Sequence, residues 1–319
     1  MVEFGEWLYE GVLKAVPHRH FTFSIPKILR RYFLYDRKLL SELSRCTWKS
    51  LKAFLEIAVL KQEATPGAVI AIQTFGDFLN FNPPRRINPH CHVLCTDGAF
   101  YESGSFRVAP PLDTEPMEKI FQHEVLGMLL GKGKIMEEVV KLIMSWRHSG
   151  FNIHCGPRIQ PGDDEAMENL ARYVVRASFS QERMTYIPDE SKVVYTGPRT
   201  GRARKPLMRW SGMAAMCSHV PNKGEQMVRY YGYYSNVCRG QRKKANEEDG
   251  LFICILQPDE SSKGYRKNWA RLIPQICASA IDFDNKSRVR RTSRPLSTTH
   301  SILADKPNGM LLYARSRWS

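Results

Sequence analysis

The run His90-Cys91-His92-Val93-Leu94-Cys95, closed by Thr96-Asp97-Gly98, constrains this chain more than any other stretch. Side chains on a strand alternate between faces, so an extended reading sends His90 and His92 to one side and Cys91, Val93 and Cys95 to the other. The apolar set can then enter a core while the two imidazoles share one site. Neutral imidazole is a common metal ligand, and two from one strand fill adjacent corners of a coordination shell, leaving positions for water and a phosphate oxygen. The same alternation argues against a zinc site borrowing Cys91 or Cys95, whose sulfurs leave by the other face. On pattern alone, two surface histidines near a loop end are the plainer alternative.

Other segments organise around this strand. The β-rich run 67–75, closed by Gly76-Asp77, reads as its neighbour, joined to it by a long polar loop from Asn80 to Pro89. His20 to Ile25 alternates and stops at Pro26, which predicts a further strand. A helical pattern runs from 28 to 60, and a mainly helical segment from 114 to 146, with Thr114 as its cap and Pro116 in its first turn. Pro161-Gly162-Asp163 opens another helix to about 176, residues 193–195 read as a strand, and 251–256 is a short apolar run. The stretch from Gly224 to Gly240 reads as a helix carrying several tyrosines.

Composition enters through charge. Lys plus Arg number 47 against 32 Asp plus Glu in 319 residues, a formal net charge of +15, which favours a polyanionic partner. No apolar run is long enough to span a bilayer, the first residues do not read as a secretory signal, and no basic amphipathic helix or lipidation signal stands out. Nucleic acid is therefore preferred over a membrane surface. Eight scattered cysteines without a Cys-x-x-Cys pair suit small buried hydrophobes in a reducing compartment.

Arg229-Tyr230-Tyr231-Gly232-Tyr233-Tyr234-Ser235-Asn236 packs four tyrosines into five positions. On a helix, Tyr230 and Tyr234 lie one above the other, with Cβ atoms about 5–6 Å apart. Two phenols beside a metal suit nucleophilic attack on phosphodiesters. A tyrosine ionises near pH ~10 unaided, so a metal or a basic neighbour such as Arg229 or Lys223 would have to help. An aromatic packing face, or a platform on which bases stack, is the alternative.

Taken together, these motifs resemble the HUH nuclease superfamily, and more closely the two-tyrosine rolling-circle transposases of the insertion sequence ninety-one family. The resemblance rests on five ordered blocks: Val16 to Lys27, Gln73 to Phe81, Asn88 to Leu94, Ser145 to Phe151 and Val228 to Asn236, within a match from about 14 to 273. It implies an α+β fold with a central antiparallel sheet and packed helices. It implies that His90 and His92 bind a divalent metal, Mg²⁺ or Mn²⁺, with Asp77 as third ligand and Gln73 as the second choice. Tyr230 and Tyr234 would be paired nucleophiles that cut single-stranded DNA at element ends through a 5′-phosphotyrosine, with no organic cofactor and no membrane. Arg19, Arg229, Arg239, Arg242 and Lys243, with Arg85 and Arg86, would line the DNA backbone path. The expected organisation is a catalytic core over 1–240 with a helical insertion at about 112–147, then a basic extension over 241–319, poorly ordered beyond about 274. The expected location is the bacterial cytoplasm, at the nucleoid.

Three departures from the family accompany the match. The chain starts after the position of the usual cysteine-rich zinc module, the loop before His90 is lengthened by Pro84 to Pro89, and a Cys-x-x-Cys segment expected after Ile273 is replaced by an irregular tail. The expectation is a transposase truncated at both ends, its tail a shifted reading frame and its activity open. A non-catalytic single-stranded DNA-binding remnant, and a replication initiator or relaxase of the same superfamily, are the competing readings.

Overall fold

Five strands, antiparallel throughout, form the central sheet in the order Val228–Gly232 (β10), Gly67–Gln73 (β2), His90–Thr96 (β3), His18–Ser24 (β1) and Asn152–Ile159 (β6). The structure, a computed structural model, describes residues 2–59, 64–75, 88–101, 105–174, 181–196, 204–208, 217, 219–245 and 253–255. All of these fall in the compact unit Met1–Cys277. The fold class is α+β, as the sequence leads one to expect.

Both faces of the middle strands are covered, which is why β2 and β3 are buried along their whole length. On one face Phe21, Phe23, Ile70, Ile72, Cys91, Val93 and Cys95 join Leu43, Leu51 and Phe54 of helix α3 (Lys38–Val59) and Phe121 and Val125 of helix α4 (Thr114–Gly131) in the main core. Phe23 meets Phe121 edge to face at 5.0 Å, and truncating either ring to alanine costs about 3–5 kcal/mol. On the other face helices α1 (Val2–Gly11) and α6 (Asp164–Val174) build a smaller cluster from Leu8, Val69, Leu94, Met167, Ala171 and Tyr234.

Smaller elements complete the description. Gly98–Phe100 (β4), Ser105–Val108 (β5) and Ile253–Ile255 (β11) form one three-stranded sheet, and Met184–Ile187 (β7), Lys192–Thr196 (β8) and Arg204–Met208 (β9) form another. Among the described residues, no helix is long and apolar enough to cross a membrane.

Several sequence expectations are refined. The helical stretch 28–60 is two helices, α2 (Lys27–Tyr35) and α3, because Asp36 ends one and starts the other: its N–H bonds Tyr32 O while its carboxylate accepts from Lys38 N. The stretch 114–146 is also two helices, α4 and α5 (Glu137–Met144), with Gly133 at φ +64° in the turn between them. The cap of α4 is Asp113, whose carboxylate accepts from Glu115 N, rather than Thr114.

The largest correction concerns 224–240, which is not one helix. Residues 228–232 form edge strand β10, and a helix, α7 (Asn236–Lys244), begins only after a turn. Gly232 breaks the run. Its φ is +58°, and a Cβ there would meet Pro66 O at 1.9 Å, so the chain reverses where an i, i+4 reading demands a continuous helix. The tail beyond 255, including the segment read as poorly ordered from about 274, lies outside the described residues.

Candidate active site

Strand β3 delivers its two histidines to one side of the sheet, as the alternation requires. His90 and His92 are 8% and 4% exposed, while Cys91, Val93 and Cys95 enter the core on the opposite side. Burial pushes the Cys91 thiol up to about 12, so it is an inert apolar side chain there. The His90 and His92 Nε2 atoms are 3.2 Å apart. Two nitrogens each about 2.1 Å from a shared ion, at the ~90–110° angles of octahedral or tetrahedral coordination, stand roughly 3.0–3.4 Å apart, so the pair is spaced as two ligands of one cation. His90 Nδ1 donates to Asn88 O at 2.7 Å, which leaves Nε2 as the ring's lone-pair nitrogen.

Cross-strand neighbours define the rest of the face. The partners of His90 are Gln73 on β2 and Ser24 on β1; those of His92 are Ala71 and Thr22. Gln73 is 3% exposed, its Nε2 donates to Val174 O at 3.2 Å, and its Oε1 is buried without a hydrogen-bond partner. A buried acceptor left unmatched costs about 1–3 kcal/mol, and a cation held beside His90 would match it. Among the described residues no three His, Cys, Asp or Glu side chains converge as a metal-binding group; the amide oxygen of Gln73 could serve as a further donor. His20, next on β1, has its Nε2 3.0 Å from His92 Nδ1, and burial, then the charge of His154, lowers its pKa to about 4.

One phenol reaches this cluster from above. Tyr173, at the end of α6, meets His92 edge-on at 5.3 Å and His20 at 5.8 Å between ring centroids, and is 39% exposed. The helix is set by its own sequence. Gly162 turns the chain at φ +88°, the Asp163 carboxylate accepts from Ala166 N, and Met167, Ala171 and Val174 bury one stripe. Residue types alone do not reveal Tyr173, because it lies off that apolar stripe and reaches the site only through the docking of α6 on β3.

Residues 67–242 match the family described as "Putative transposase" (Y2_Tnp). The chain belongs to this transposase family. The match spans β2, both site histidines, α6 and the tyrosine run. The chain is also 23% identical, over 248 residues, to a transposase for an insertion sequence element, IS801, from Pseudomonas savastanoi pv. phaseolicola. That alignment covers 72% of this chain and 57% of the relative, so the chain spans a little over half the relative's length. No solved structure matches it.

In this family member the two tyrosines singled out from the sequence have separate surroundings. Tyr230 pairs with Val69 on β10, which puts it on the histidine face but two strands from β3. Its ring lies half-buried between Trp7 and the Arg239 guanidinium, and burial raises its pKa. Tyr234 is fully buried in the turn after β10. It donates to His18 Nε2 at 2.7 Å, since His18 Nδ1 already donates to Val16 O, and burial holds its hydroxyl well above the ordinary tyrosine range. Tyr231 leaves by the opposite face, where it stacks on Trp48 and bonds Ser44.

The remaining predicted positions divide in the same way. Asp77, Arg85 and Arg86 lie outside the described residues. Arg19 is held by Asp97, which also pairs with Arg158, and bonds Gly156 O. Arg229 bonds Ser41 on the α3 side of the sheet. Arg242 lies over the Tyr233 ring at 3.8 Å, and Arg239 lies over Tyr230 and Trp7. Lys243, with Lys244, is exposed in the last turn of α7.

Proposed function

We propose that the chain cleaves and rejoins single-stranded DNA, with His90, His92 and Gln73 holding a divalent cation and Tyr173 as the nucleophile. The observation that carries this reading is that a partly exposed phenol stands against the ring of His92, the histidine whose Nε2 sits 3.2 Å from that of His90. A bound Mg²⁺ or Mn²⁺ supplies polarisation of the scissile phosphate and offsets the charge that builds on it. The residues do the rest. Tyr173 Oη forms a bond to phosphorus as the bond to the 3′-oxygen breaks. The phenol proton leaves to water and the 3′-oxygen takes one up, giving a 5′-phosphotyrosine and a 3′-hydroxyl. The ester keeps the strand activated, so a later 3′-hydroxyl attacks it and releases the tyrosine.

Burial supports this choice of tyrosine over the pair in the 230–234 run. A phosphate must reach the attacking oxygen, and Tyr234 presents its hydroxyl to a buried histidine instead. Tyr230 shares the histidine face, so Tyr230 with Tyr234 stands as the second reading. The formal charge of +15 suits a polyanionic substrate, and the exposed Lys243 and Lys244 extend a basic edge beyond Tyr230. The reading implies work at the nucleoid in the bacterial cytoplasm, on the ends of a mobile element, without an organic cofactor.

The test uses labelled single-stranded oligonucleotides tiling both ends of the DNA that carries the gene, with Mg²⁺ or Mn²⁺. A covalent protein–DNA band that needs the metal and is lost in His90→Ala plus His92→Ala is the expected result. A mobility shift with no covalent band under any metal reduces the chain to a DNA-binding remnant.

A further inference from the structure

The contact between His20 and His92 is not one of stacked rings. Their planes differ by 13° and their centroids are 5.2 Å apart, while His20 Nε2 and His92 Nδ1 are 3.0 Å apart. The centroid distance exceeds the nitrogen distance by about two ring radii, so both nitrogens lie on the line joining the rings. The rings meet edge to edge and nearly coplanar, the geometry of an N–H···N hydrogen bond.

The proton count around this line has two solutions. His90 Nε2 is a lone pair, because His90 Nδ1 donates to Asn88 O. Without a cation, His92 Nε2–H donates to His90 Nε2 across 3.2 Å, and His92 Nδ1 accepts from His20 Nε2–H. With a cation between the two Nε2 atoms, both must be lone pairs. His92 then carries its proton on Nδ1 and needs an acceptor. From this we infer that His20 is a positioning residue: its Nε2 accepts the His92 Nδ1 proton and so holds His92 in the tautomer and plane that coordinate the cation. Loading the site moves one proton from Nε2 to Nδ1 on each of His92 and His20, with net charge on the two rings unchanged. Thr22 Oγ1 also approaches His92 Nδ1, at 3.3 Å, but from farther away.

This rests on the reading of His90 and His92 as cation ligands, and the experiment separates the two. Mn²⁺ binding is measured by electron paramagnetic resonance on the full chain, and imidazole tautomers by ¹⁵N-detected correlation spectra with and without Mg²⁺. Wild type should bind Mn²⁺, and His92→Ala should abolish binding; no binding by wild type, or binding unchanged in His92→Ala, removes the cation reading itself. Given binding, His20→Phe should weaken it about tenfold or more, His20→Gln, whose amide oxygen accepts, should restore it to within about threefold, and Thr22→Val should change it little. In wild type, Mg²⁺ should convert both His92 and His20 from the Nε2–H to the Nδ1–H form, so that at the shared bond His92 turns from acceptor to donor and His20 from donor to acceptor. Equal Mn²⁺ affinity in wild type and His20→Phe, or a His20 tautomer indifferent to saturating Mg²⁺, overturns the assignment while leaving the cation site standing. Should His20→Phe fail to fold, the wild-type spectra and His20→Gln decide.

Discussion

Gln73 donates its side-chain amide to the carbonyl of Val174, tying the central sheet to the residue next to Tyr173. The same side chain leaves Oε1 buried without a hydrogen-bond partner, at the strand position paired with His90. On the proposed reading one residue would link Tyr173 to the cation, and a substitution can divide the two roles. Gln73→Glu keeps an oxygen for the cation but turns the donor facing Val174 O into an acceptor. Mn²⁺ affinity should hold or rise, while the rate of covalent adduct formation falls about tenfold or more, as expected when a reacting group shifts by about an ångström. Parallel titration and single-turnover labelling check this.

Tyr234→Phe separates a structural tyrosine from a chemical one. It leaves His18 Nε2 buried without its donor, which costs about 1–3 kcal/mol. The melting temperature should fall by about 1–2 °C per kcal/mol in a chain of this size. Adduct yield per folded molecule should be unchanged.

Acid sensitivity follows from His18. Burial lowers its pKa from 6.5 to about 4, so the folded chain refuses a proton that the unfolded chain accepts. No penalty exists above pH 6.5; it grows as pH falls from 6.5 towards 4 and reaches up to about 3 kcal/mol. Denaturant midpoints measured across that window should drop steeply in wild type. In His18→Gln the slope should lose about one proton, with the contribution of His20 remaining.

Gly232→Ala tests the turn that replaces the expected tyrosine helix. The positive φ alone costs about 1–2 kcal/mol for alanine, and the methyl meets the Pro66 carbonyl, a backbone atom that cannot swing away. A loss of more than about 2 kcal/mol in denaturant unfolding is expected. In a continuous helix the same change would stabilise by up to about 1 kcal/mol.

What the sequence discloses and what it hides follow from the range of the forces involved. Strands β1, β2 and β3 are legible because alternation is a local pattern with a period of two, and it assigns His90, His92 and Cys91 to their faces without knowledge of the fold. The break at Asp36 and the cap at Asp113 are local too, but they need hydrogen-bond geometry that residue types leave ambiguous. The 224–240 stretch misleads because the spacing of Tyr230 and Tyr234 imitates a helix face, while Gly232, already in view, can turn the chain by itself. Tyr173 and the line from His20 to His92 are set by tertiary packing: α6 docks on β3 from far along the chain, and β1 supplies His20 beside a partner 72 residues away. Gln73, the second choice for a third donor in the sequence, is the cross-strand partner of His90, a register that residue types alone do not fix.

The most direct measurement is the site of attachment. The chain is incubated with its cleavable oligonucleotide and Mn²⁺, digested with protease and nuclease, and the nucleotide-bearing peptide is sequenced by mass spectrometry. The account predicts a phosphotyrosine at Tyr173, lost in Tyr173→Phe and retained in Tyr230→Phe plus Tyr234→Phe. Attachment at Tyr230 or Tyr234, with Tyr173→Phe still forming the adduct at the wild-type rate, would contradict it.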